Sequence, residues 1–467
     1  MDFDSILHKY QQSYYKLPQS VKSFLGGIYG NIPLSVRFGS AYRKHQKLLY
    51  DFLEKDTQYQ LDYQYNKTLE TLQFAQDHVP YYQELFQVYG FDVSHFKDFS
   101  DLNSLPHLTK EIIRDKIDTL YTDVADKPIA YYTGGSSSVP TKLYAPLSVS
   151  RAKEKVYFNY VFSLLGYRYR EHAVSLQGRG NFDISTGKLW EYQNVDNYLL
   201  LSINHLQTEY IEAIYNEVMH WKPKVFYGFP SAVMLFIRAC RSVDILHMEN
   251  VEGVMLTSES VSWEHIDEIK TFFPKSKIIS QYGHTERVVF AYREEKKDYQ
   301  FLNAYGLVTS HKQEIVGTSF DNFVMPYINY KTGDFLGKTA YIERTEVVHS
   351  ASSLQGRLQD FLVTKEKTLI PILSIGSGHF SNYDAIKKAQ FYQDTPGKAI
   401  LYLQSDMQEQ IDVSEMIRQM QERTKNQIEF EIQFVDTIQD TQRHKHIFCI
   451  QKLDMKHYSE DLIDRQE

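Results

Sequence analysis

The chain has 467 residues, a length that predicts about three domains or one large domain with an appendage. Hydrophobic residues make up 42% and charged residues 24%, which is typical of a packed globular protein and excludes a disordered one. The net charge of −8 is spread without long runs, so it excludes the basic surface that non-specific nucleic-acid binding needs.

The cysteines and the early apolar residues indicate where in the cell the protein is expected. Two cysteines, Cys240 and Cys449, cannot build a disulfide framework or a four-thiolate zinc site, and their use predicts a reducing, cytoplasmic location. The most apolar early stretch, residues 21–36, is interrupted by Lys22 and Pro33, so the sequence predicts no membrane span.

The first hundred residues have the spacing of helices. Apolar and aromatic positions lie three and four residues apart in 42–53 and 68–86, and breaks are expected near Pro33 and Pro80. Residues 3–45 mix Lys and Arg with Leu, Phe and Tyr. A helical layer packed on the main domain is the favoured interpretation, and a helix lying on a membrane surface is the alternative.

Beyond about residue 100, β-rich runs alternate with amphipathic helical runs. The predicted strands include 225–227, 251–256 and 277–282, and the predicted helices are 150–165, 208–221, 231–242 and 263–273. This alternation predicts an α/β fold with a mostly parallel sheet under helices. Ligands of such sheets bind beyond the carboxyl ends of the strands, so residues 257–260 and 282–286 are expected on one rim.

The pattern changes again towards the C-terminus. Residues 399–403 are apolar, residues 413–424 have helical spacing, and apolar side chains alternate strictly at 428–434. A small α+β domain is expected there. The predicted organisation is a helical N-terminal part of the large domain (1–100), an α/β domain (101–355) and a small C-terminal domain (356–467).

One loop concentrates residues that suit phosphate. Residues 131–144, YYTGGSSSVPTKLY, place hydroxyls and free backbone N–H groups between two apolar runs, and Lys142 adds a positive charge. The spacing is not that of a Walker A loop, because Pro140 and Thr141, and not a Gly, precede the lysine. Taken alone, the loop is about equally compatible with a Ser/Gly-rich surface turn.

Three later motifs extend this pattern: QYGHTE (281–286), YKTGD (330–334) and GRLQD (356–360). In this order and at these distances, the four stretches resemble the signature of the adenylate-forming (acyl-AMP) enzyme superfamily. The branch that holds phenylacetate–CoA ligases and CapK-type proteins of capsular polysaccharide biosynthesis is the most similar. The stretches that support the branch are LPHLTK (105–110), YGFPSA (227–232) and MPY (325–327).

The resemblance implies nucleotide-binding roles. Phosphates would be held by Thr133, Gly134, Gly135, Ser136, Ser137, Ser138 and Lys142. Tyr282 would stack on adenine, with Gly283 and Glu259 in the same nucleotide-binding set. The remaining implied roles are Mg²⁺ binding by Glu286, donation to the α-phosphate by Thr285, acceptance from the ribose hydroxyls by Asp334, and contact with ribose or phosphates by Arg357.

These roles have structural alternatives. Tyr282 could be a core tyrosine and Glu286 a helix-start carboxylate. Asp334 could be an ordinary turn residue after Gly333, and Arg357 a surface charge.

The resemblance also implies catalytic and pocket residues. In TQRHKHIF (441–448), Lys445 matches the lysine that meets the attacking carboxylate and the α-phosphate, with a solvated lysine as the alternative. His205 is similar to a histidine that gates the acyl pocket, and a structural histidine is equally compatible. The acyl pocket would be lined by Tyr227, Gly228, Phe229, Pro230 and Ser231.

The sequence departs from the family pattern at three points. Ser138 and His444 stand where the family usually has Gly, and Gln359 stands in the predicted hinge, Gln359–Asp360, where Asp or Lys is common. A CoA-phosphate clamp is not recognisable, so the acceptor is open among thiol, hydroxyl and amine, with CoA as one option. A homodimer is compatible with the sequence.

The favoured function is ATP- and Mg²⁺-dependent, AMP-forming activation of a carboxylic acid, in cell-surface polysaccharide biosynthesis. One alternative is an aryl- or acyl-CoA ligase. Another is a non-catalytic nucleotide-binding relative that serves as a scaffold. A P-loop NTPase is disfavoured by the loop spacing.

Overall fold

The computed structural model describes residues 17–132, 141–177, 187–259, 261, 263–355, 361–367, 369–375, 385–386, 388–424, 426–438 and 449–455. The helices of this part of the chain are α1 (Gln19–Asn31), α2 (Leu34–Arg37), α3 (Gly39–Glu54), α4 (Thr57–His78), α5 (Pro80–Tyr89), α6 (Lys110–Leu120), α7 (Glu154–Leu164), α8 (Thr208–Trp221), α9 (Pro230–Arg241), α10 (Trp263–Phe272), α11 (Ile372–Ile375) and α12 (Val413–Arg423). A π-helical turn, Ser148–Lys153, leads into α7.

The strands form several sheets. In chain order they are β1 (Ile129–Tyr132), β2 (Lys142–Ala145), β3 (Ala173–Leu176), β4 (Trp190–Gln193), β5 (Tyr198–Leu201), β6 (Val225–Gly228), β7 (Gly253–Thr257), β8 (Lys277–Gly283), β9 (Phe290–Glu294), β10 (Tyr299–Phe301), β11 (Gly306–His311), β12 (Glu314–Ser319), β13 (Tyr330–Leu336), β14 (Thr339–Tyr341), β15 (Val348–Ala351), β16 (Leu354–Gln355), β17 (Phe361–Val363), β18 (Leu369–Pro371), β19 (Lys388–Thr395), β20 (Lys398–Gln404), β21 (Glu429–Phe434) and β22 (Cys449–Gln451).

A ten-stranded sheet forms the centre of the molecule, in the order β14-β15-β10-β9-β8-β7-β6-β3-β5-β4. The five neighbours from β8 to β5 are parallel, and the strands on either side pair antiparallel. Strands β3, β6 and β7 are buried along their whole length, as expected of parallel strands covered on both faces. The predicted α/β fold is confirmed, and the sheet is mixed, with its parallel part confined to five strands.

Helices cover both faces of this sheet. Helices α8, α9 and α10 contribute Ile214, Phe236 and Ile269 to the core on one face, whereas α3 and α7 contribute Leu49 and Tyr157 to the core on the other. The predicted helix at 208–221 is α8, and those at 231–242 and 263–273 agree with α9 and α10 within one residue. The predicted helix at 150–165 differs, because it begins with the π-helical turn that ends at the buried Lys153.

A buried ionic group fixes the helical layer to the large domain. We call it the Asp321 cluster. Its buried members are Asp321, Lys153 and His45, and the partly buried Lys67 and the exposed Lys44 lie at its edge. It joins α3 and α4 to the turn that precedes α7 and to the loop after β12. Helices α3 and α4 thus lie against the large domain, the arrangement expected under the favoured interpretation of the N-terminal region.

The C-terminal region has its own small sheet, in the order β21-β20-β19-β22. Helix α12 packs on it through Met416 and Met420, which join Leu401 and Phe430 in one core. Side chains of β21 alternate in burial, as the sequence predicted for a half-buried strand. Across the described residues, no helix combines the length and the apolar character needed to cross a bilayer.

Candidate active site at the carboxyl edge of the central sheet

Three neighbouring parallel strands place the predicted motifs side by side. Strands β6, β7 and β8 end at Gly228, Thr257 and Gly283, and their registers align these ends at one edge of the sheet. The Thr257 hydroxyl donates to Gln281 Oε1 at 2.7 Å, which ties the β7 and β8 ends together. The expected common rim is therefore confirmed for the described residues.

Glu286 lies in the loop beyond β8 and is 3% exposed. Its Oε1 accepts from the Tyr330 hydroxyl at 2.6 Å and lies 3.3 Å from Lys110 Nζ, while its Oε2 lies 3.3 Å from His284 Nδ1. We call these four residues the Glu286 site.

The partners of Glu286 keep it ionised. Burial alone would raise the pKa of this carboxyl, but contact with His284, the charge of Lys110 and the Tyr330 hydroxyl together hold its pKa well below the usual range. A buried carboxylate that stays charged at the edge of a parallel sheet is a group that can bind a cation.

Lys110 reaches Glu286 because of a long-range strand contact. Leu108 pairs with Tyr330 in a parallel bridge, in which Lys331 N–H donates to Leu108 O at 3.0 Å. This contact carries the start of α6, where Lys110 is the first residue, to the beginning of β13. The LPHLTK stretch and the YKTGD motif, which are about 220 positions apart in the sequence, therefore form one wall of the site.

Tyr282 and Asp334, the two residues predicted to bind the nucleoside, are in direct contact. The Tyr282 hydroxyl donates to Asp334 Oδ2 at 2.7 Å. Burial and the charge of Asp334 raise the pKa of Tyr282 well above its ordinary value, so this hydroxyl remains a proton donor at neutral pH. The contact joins β8 of the central sheet to β13 of the sheet β11-β12-β13-β16.

An irregularity in β13 positions Asp334. Glu314 of β12 pairs with Phe335, but Val316 pairs with Lys331, so residues 332–334 bulge out of the ladder. Gly333 has a φ of +82°, a left-handed conformation that glycine adopts without a steric penalty. The glycine of the YKTGD motif therefore turns the chain so that Asp334 faces Tyr282.

The predicted phosphate loop joins two paired strands. Strands β1 and β2 form an antiparallel hairpin in which Tyr132 pairs with Lys142. The Arg287 guanidinium carbon lies 4.8 Å from the centre of the Tyr131 ring, which places the end of β1 next to the residue that follows Glu286. Lys142 is exposed, and its amine lies 5.0 Å from the centre of the Tyr144 ring.

Glu259 and Ser231, two further predicted site residues, bind each other. Glu259 accepts from the Ser231 backbone N–H and from its hydroxyl, both at 3.0 Å, at the start of α9. A carboxylate in this position also satisfies the partial positive charge of a helix N-terminus. Gly228 is required just before this helix, because a Cβ there would lie 2.5 Å from Leu176 O.

Other predicted pocket residues lie elsewhere. The Tyr227 ring packs among Phe158, Phe162 and Tyr198, in the core under α7, whereas Phe229 belongs to the core on the opposite face. His205 is buried, and its Nδ1 lies 2.7 Å from the Ser202 hydroxyl. The described contacts do not join His205 to the Glu286 site.

Several predicted site residues lie outside the described residues. They are Thr133, Gly134, Gly135, Ser136, Ser137, Ser138, Arg357, Gln359, Asp360 and Lys445.

Known proteins resemble the chain in sequence and in fold. No model of a protein family matches it. Protein CapK of Staphylococcus aureus is 22% identical over 366 residues, which cover 76% of this chain and 81% of CapK. The structure of 2-hydroxyisobutyryl-CoA ligase in the postadenylation state, in complex with R3-HIB-AMP, superposes with a TM-score of 0.61 at 14% identity, over 85% of this chain and 91% of the ligase. The chain has the adenylate-forming fold.

A second structure has the same fold. The acyl acid amido synthetase AtGH3.15, in complex with 2,4-DB, superposes with a TM-score of 0.54 at 11% identity, over 90% of this chain and 96% of the synthetase. The predicted resemblance to the superfamily is thus confirmed at the level of the fold, and the similarity to CapK agrees with the predicted branch. One of these solved proteins is a CoA ligase and the other an amido synthetase, so the adenylate-forming fold does not select the acceptor.

Four residues at or next to the Glu286 site were given no role by the sequence analysis. They are Lys110, Tyr330, His284 and Arg287. The signal for three of them was present, because Lys110 ends the LPHLTK stretch and the other two lie within the QYGHTE and YKTGD motifs. Arg287 directly follows Glu286 and lacked any such signal.

Proposed function

We propose that the protein is an AMP-forming enzyme that activates a carboxylic acid with ATP and then transfers the acyl group to an acceptor. In the first step a carboxylate oxygen forms a bond to the α-phosphorus of ATP. The bond from that phosphorus to the bridging oxygen breaks, and pyrophosphate leaves. In the second step the acceptor atom bonds to the acyl carbon, loses its proton, and AMP leaves.

The buried Glu286 carboxylate and its partners are the observation that carries this proposal. Glu286 is a buried carboxylate at the carboxyl edge of three parallel strands, held by Lys110, Tyr330 and His284, and it is next to the residue that contacts the β1–β2 hairpin. Ligands of open α/β sheets bind at this edge. The position suits a group that neutralises charge on a polyphosphate between the hairpin and the β8 loop.

The Tyr282–Asp334 pair supports a nucleoside subsite beside Glu286. In this role Tyr282 offers an aromatic face to adenine, and Asp334 accepts from the ribose hydroxyls. Because the Tyr282 hydroxyl occupies Asp334 Oδ2, the other carboxylate oxygen is the one that would take a ribose hydroxyl. The hairpin residues around Lys142 would hold the β- and γ-phosphates.

The chemistry of Glu286 fits Mg²⁺ in this reaction. Oε1 is engaged by Tyr330 and Lys110, and Oε2 lies 3.3 Å from His284 Nδ1, so an ion bound here would share the carboxylate with these groups. The described residues hold no group of three or more His, Cys, Asp and Glu side chains arranged around a metal. Mg²⁺ commonly binds through one or two carboxylates together with substrate phosphates, where it neutralises phosphate charge.

Lys445 is proposed to meet the carboxylate and the α-phosphate, with the small C-terminal domain moving about Gln359 and Asp360. A fixed cation at the reacting oxygens stabilises charge that develops in the transition state. Movement of a small domain between two orientations would allow both steps to use one site.

The acceptor is proposed to belong to cell-surface polysaccharide biosynthesis. The similarity to CapK over 76% of the chain is the observation that favours this role. The competing proposal is a CoA acceptor, and its support is the superposition on 2-hydroxyisobutyryl-CoA ligase. A structure of that ligase with 2-HIB-AMP and CoA in the thioesterification state also superposes, with a TM-score of 0.52.

The test is pyrophosphate release from ATP and Mg²⁺ across aryl, fatty, hydroxy and amino acids, with and without CoA. We expect acid-dependent release that Lys445→Ala reduces about 10²–10³-fold. Stimulation by CoA would select the ligase proposal, whereas release without any effect of CoA would favour another acceptor. ATP binding without release for any acid would support a non-catalytic relative, and release of ADP would overturn the proposed reaction.

A further inference from the structure

Helix α1 exposes its large apolar side chains. The exposed fractions are 39% for Val21, 67% for Phe24, 41% for Leu25 and 54% for Ile28. These residues have the i, i+3, i+4, i+7 spacing of one helix face, so they form a continuous apolar stripe directed to solvent.

The opposite face of α1 attaches the helix to the protein through glycine. Gly26 and Gly30 are buried, and a Cβ at Gly30 would lie 2.5 Å from Val195 O and 2.8 Å from Arg170 Cζ. Such close backbone approach needs glycine. A surface helix normally turns its apolar stripe to the core, and α1 does the reverse.

The same part of the chain is strongly cationic. Residues 5–50 contain seven Lys and Arg residues and no Asp or Glu, in a chain whose net charge is −8. Arg43, Lys44 and Lys47 are exposed on α3. Arg43 donates to Ser35 O at 2.7 Å, which places it against α2, the helix that follows α1 and exposes Val36 by 48%.

We propose that this region binds the surface of a bilayer that contains anionic lipid. The membrane-contact surface consists of Val21, Phe24, Leu25, Ile28, Val36, Arg43, Lys44 and Lys47. Helix α1 would lie in the plane of the membrane, with its apolar stripe at the boundary between headgroups and acyl chains. The exposed cations match the negative potential of such a membrane. The proposal does not depend on the adenylation reaction.

A bilayer fits this surface better than a second copy of the chain does. A symmetric dimer places the same patch of both subunits face to face. Residues 17–50 carry no acidic side chain, so the cations of the two segments would repel each other without an opposite charge from the same segment. Lipid supplies both the apolar phase and the negative charge.

The test is flotation of the full-length protein with vesicles. One set contains phosphatidylcholine alone, and the other adds about 30% phosphatidylglycerol. We expect binding to the anionic vesicles that falls several-fold when NaCl rises from about 0.1 M to about 0.5 M.

The variants separate the two parts of the surface. Phe24→Ser/Ile28→Ser should weaken binding by at least about tenfold, since two apolar side chains would no longer enter the membrane. Lys44→Gln/Lys47→Gln should weaken binding by about fivefold for each charge at low salt. Val88→Ser and Leu246→Ser, at residues 71% and 62% exposed, are the matched apolar controls and should leave binding unchanged.

Three results would overturn the proposal. The first is that the full-length protein floats with neither vesicle. The second is that Phe24→Ser/Ile28→Ser binds as well as the controls do. The third is that sedimentation finds a dimer that this double variant dissociates, which would assign the stripe to a second copy. Thermal unfolding of each variant checks folding, and pyrophosphate release in solution should not change.

Discussion

Glu286 and Asp321 are two buried carboxylates in similar electrostatic surroundings. They are 3% and 9% exposed; Lys110 lies beside Glu286, and several lysines lie beside Asp321. Burial raises the pKa of each carboxyl, and neighbouring groups lower it further than burial raises it. The pKa direction alone therefore does not distinguish a reactive site from a structural one.

The two carboxylates differ in the burial of the lysines that contact them. Lys153 is fully buried and donates to Tyr305 O at 2.7 Å, to Phe320 O at 3.0 Å and to Asp321 at 3.3 Å, which uses all three of its protons. The core of the Asp321 cluster is thus closed between packed helices, with the exposed Lys44 at its edge. Lys110, the lysine in contact with Glu286, is instead 26% exposed, and the Glu286 site lies at the carboxyl edge of the sheet, where ligands of open α/β sheets bind.

The comparison predicts that loss of Asp321 mainly affects stability. Asp321→Ala would leave the Lys153 ammonium buried without its carboxylate, so we expect a loss of about 3–5 kcal/mol in the free energy of unfolding. Urea denaturation measures it. Asp267→Ala, which breaks an exposed ion pair with Lys296, is the control and should cost less than about 1 kcal/mol. Equal losses for the two variants would contradict a closed, structural cluster.

The Asp321 cluster also predicts a pH dependence of stability. Burial, followed by the charge of Lys153, lowers the pKa of His45 to about 4. Because the ordinary histidine pKa is about 6.5, the unfolded chain binds a proton between about pH 6.5 and 4 that the folded protein does not. Falling pH should therefore reduce the free energy of unfolding by up to about 3 kcal/mol across this window.

Urea denaturation at a series of pH values measures this slope. His45→Gln should flatten it, whereas His247→Gln, at an exposed histidine, should not. Some slope would remain, because burial also lowers the pKa of His107 to about 4. If His45→Gln had the same slope as the unmodified protein, the pKa of His45 would be the same in the folded and the unfolded chain.

In contrast to the loss of Asp321, the loss of the Glu286 charge is expected to affect activity more than stability. Glu286→Gln keeps the shape of the side chain but removes the charge, so pyrophosphate release should fall about 100-fold or more. Glu249→Gln, at an exposed partner of Lys275, is the matched control. Full activity of Glu286→Gln would remove Glu286 from the proposed reaction.

The sequence predicted the elements better than the contacts between them. Helix α8 and the rim at the ends of β7 and β8 follow from local spacing, which periodicity records. The Lys110–Glu286 contact depends on the pairing of Leu108 with Tyr330, and periodicity contains no information about such distant pairs. The contacts of the Asp321 cluster likewise join residues that are far apart in the sequence, so periodicity does not predict them either.

Helix α1 shows a second limit of prediction from the sequence, which is the direction that an amphipathic helix faces. Its spacing predicts an amphipathic helix, and the usual rule would bury Phe24 and Ile28. The direction is set by Gly30, which lets the backbone approach Val195. That approach depends on the position of β4 relative to α1, which no segment of the sequence specifies alone.

Substitution of Tyr282 is expected to give the smallest effect, and it tests the proposed nucleoside subsite. Tyr282→Phe keeps the ring but removes the hydroxyl that donates to Asp334, a loss of about 1 kcal/mol. The KM for ATP should therefore rise about fivefold, with kcat within about twofold, because the contact orients the nucleoside and not the reacting atoms. Tyr341→Phe, which removes an exposed hydroxyl beside Ser310, should change neither constant. If Tyr282→Phe instead lowered the free energy of unfolding and left the KM unchanged, the pair would belong with Asp321 among the structural contacts.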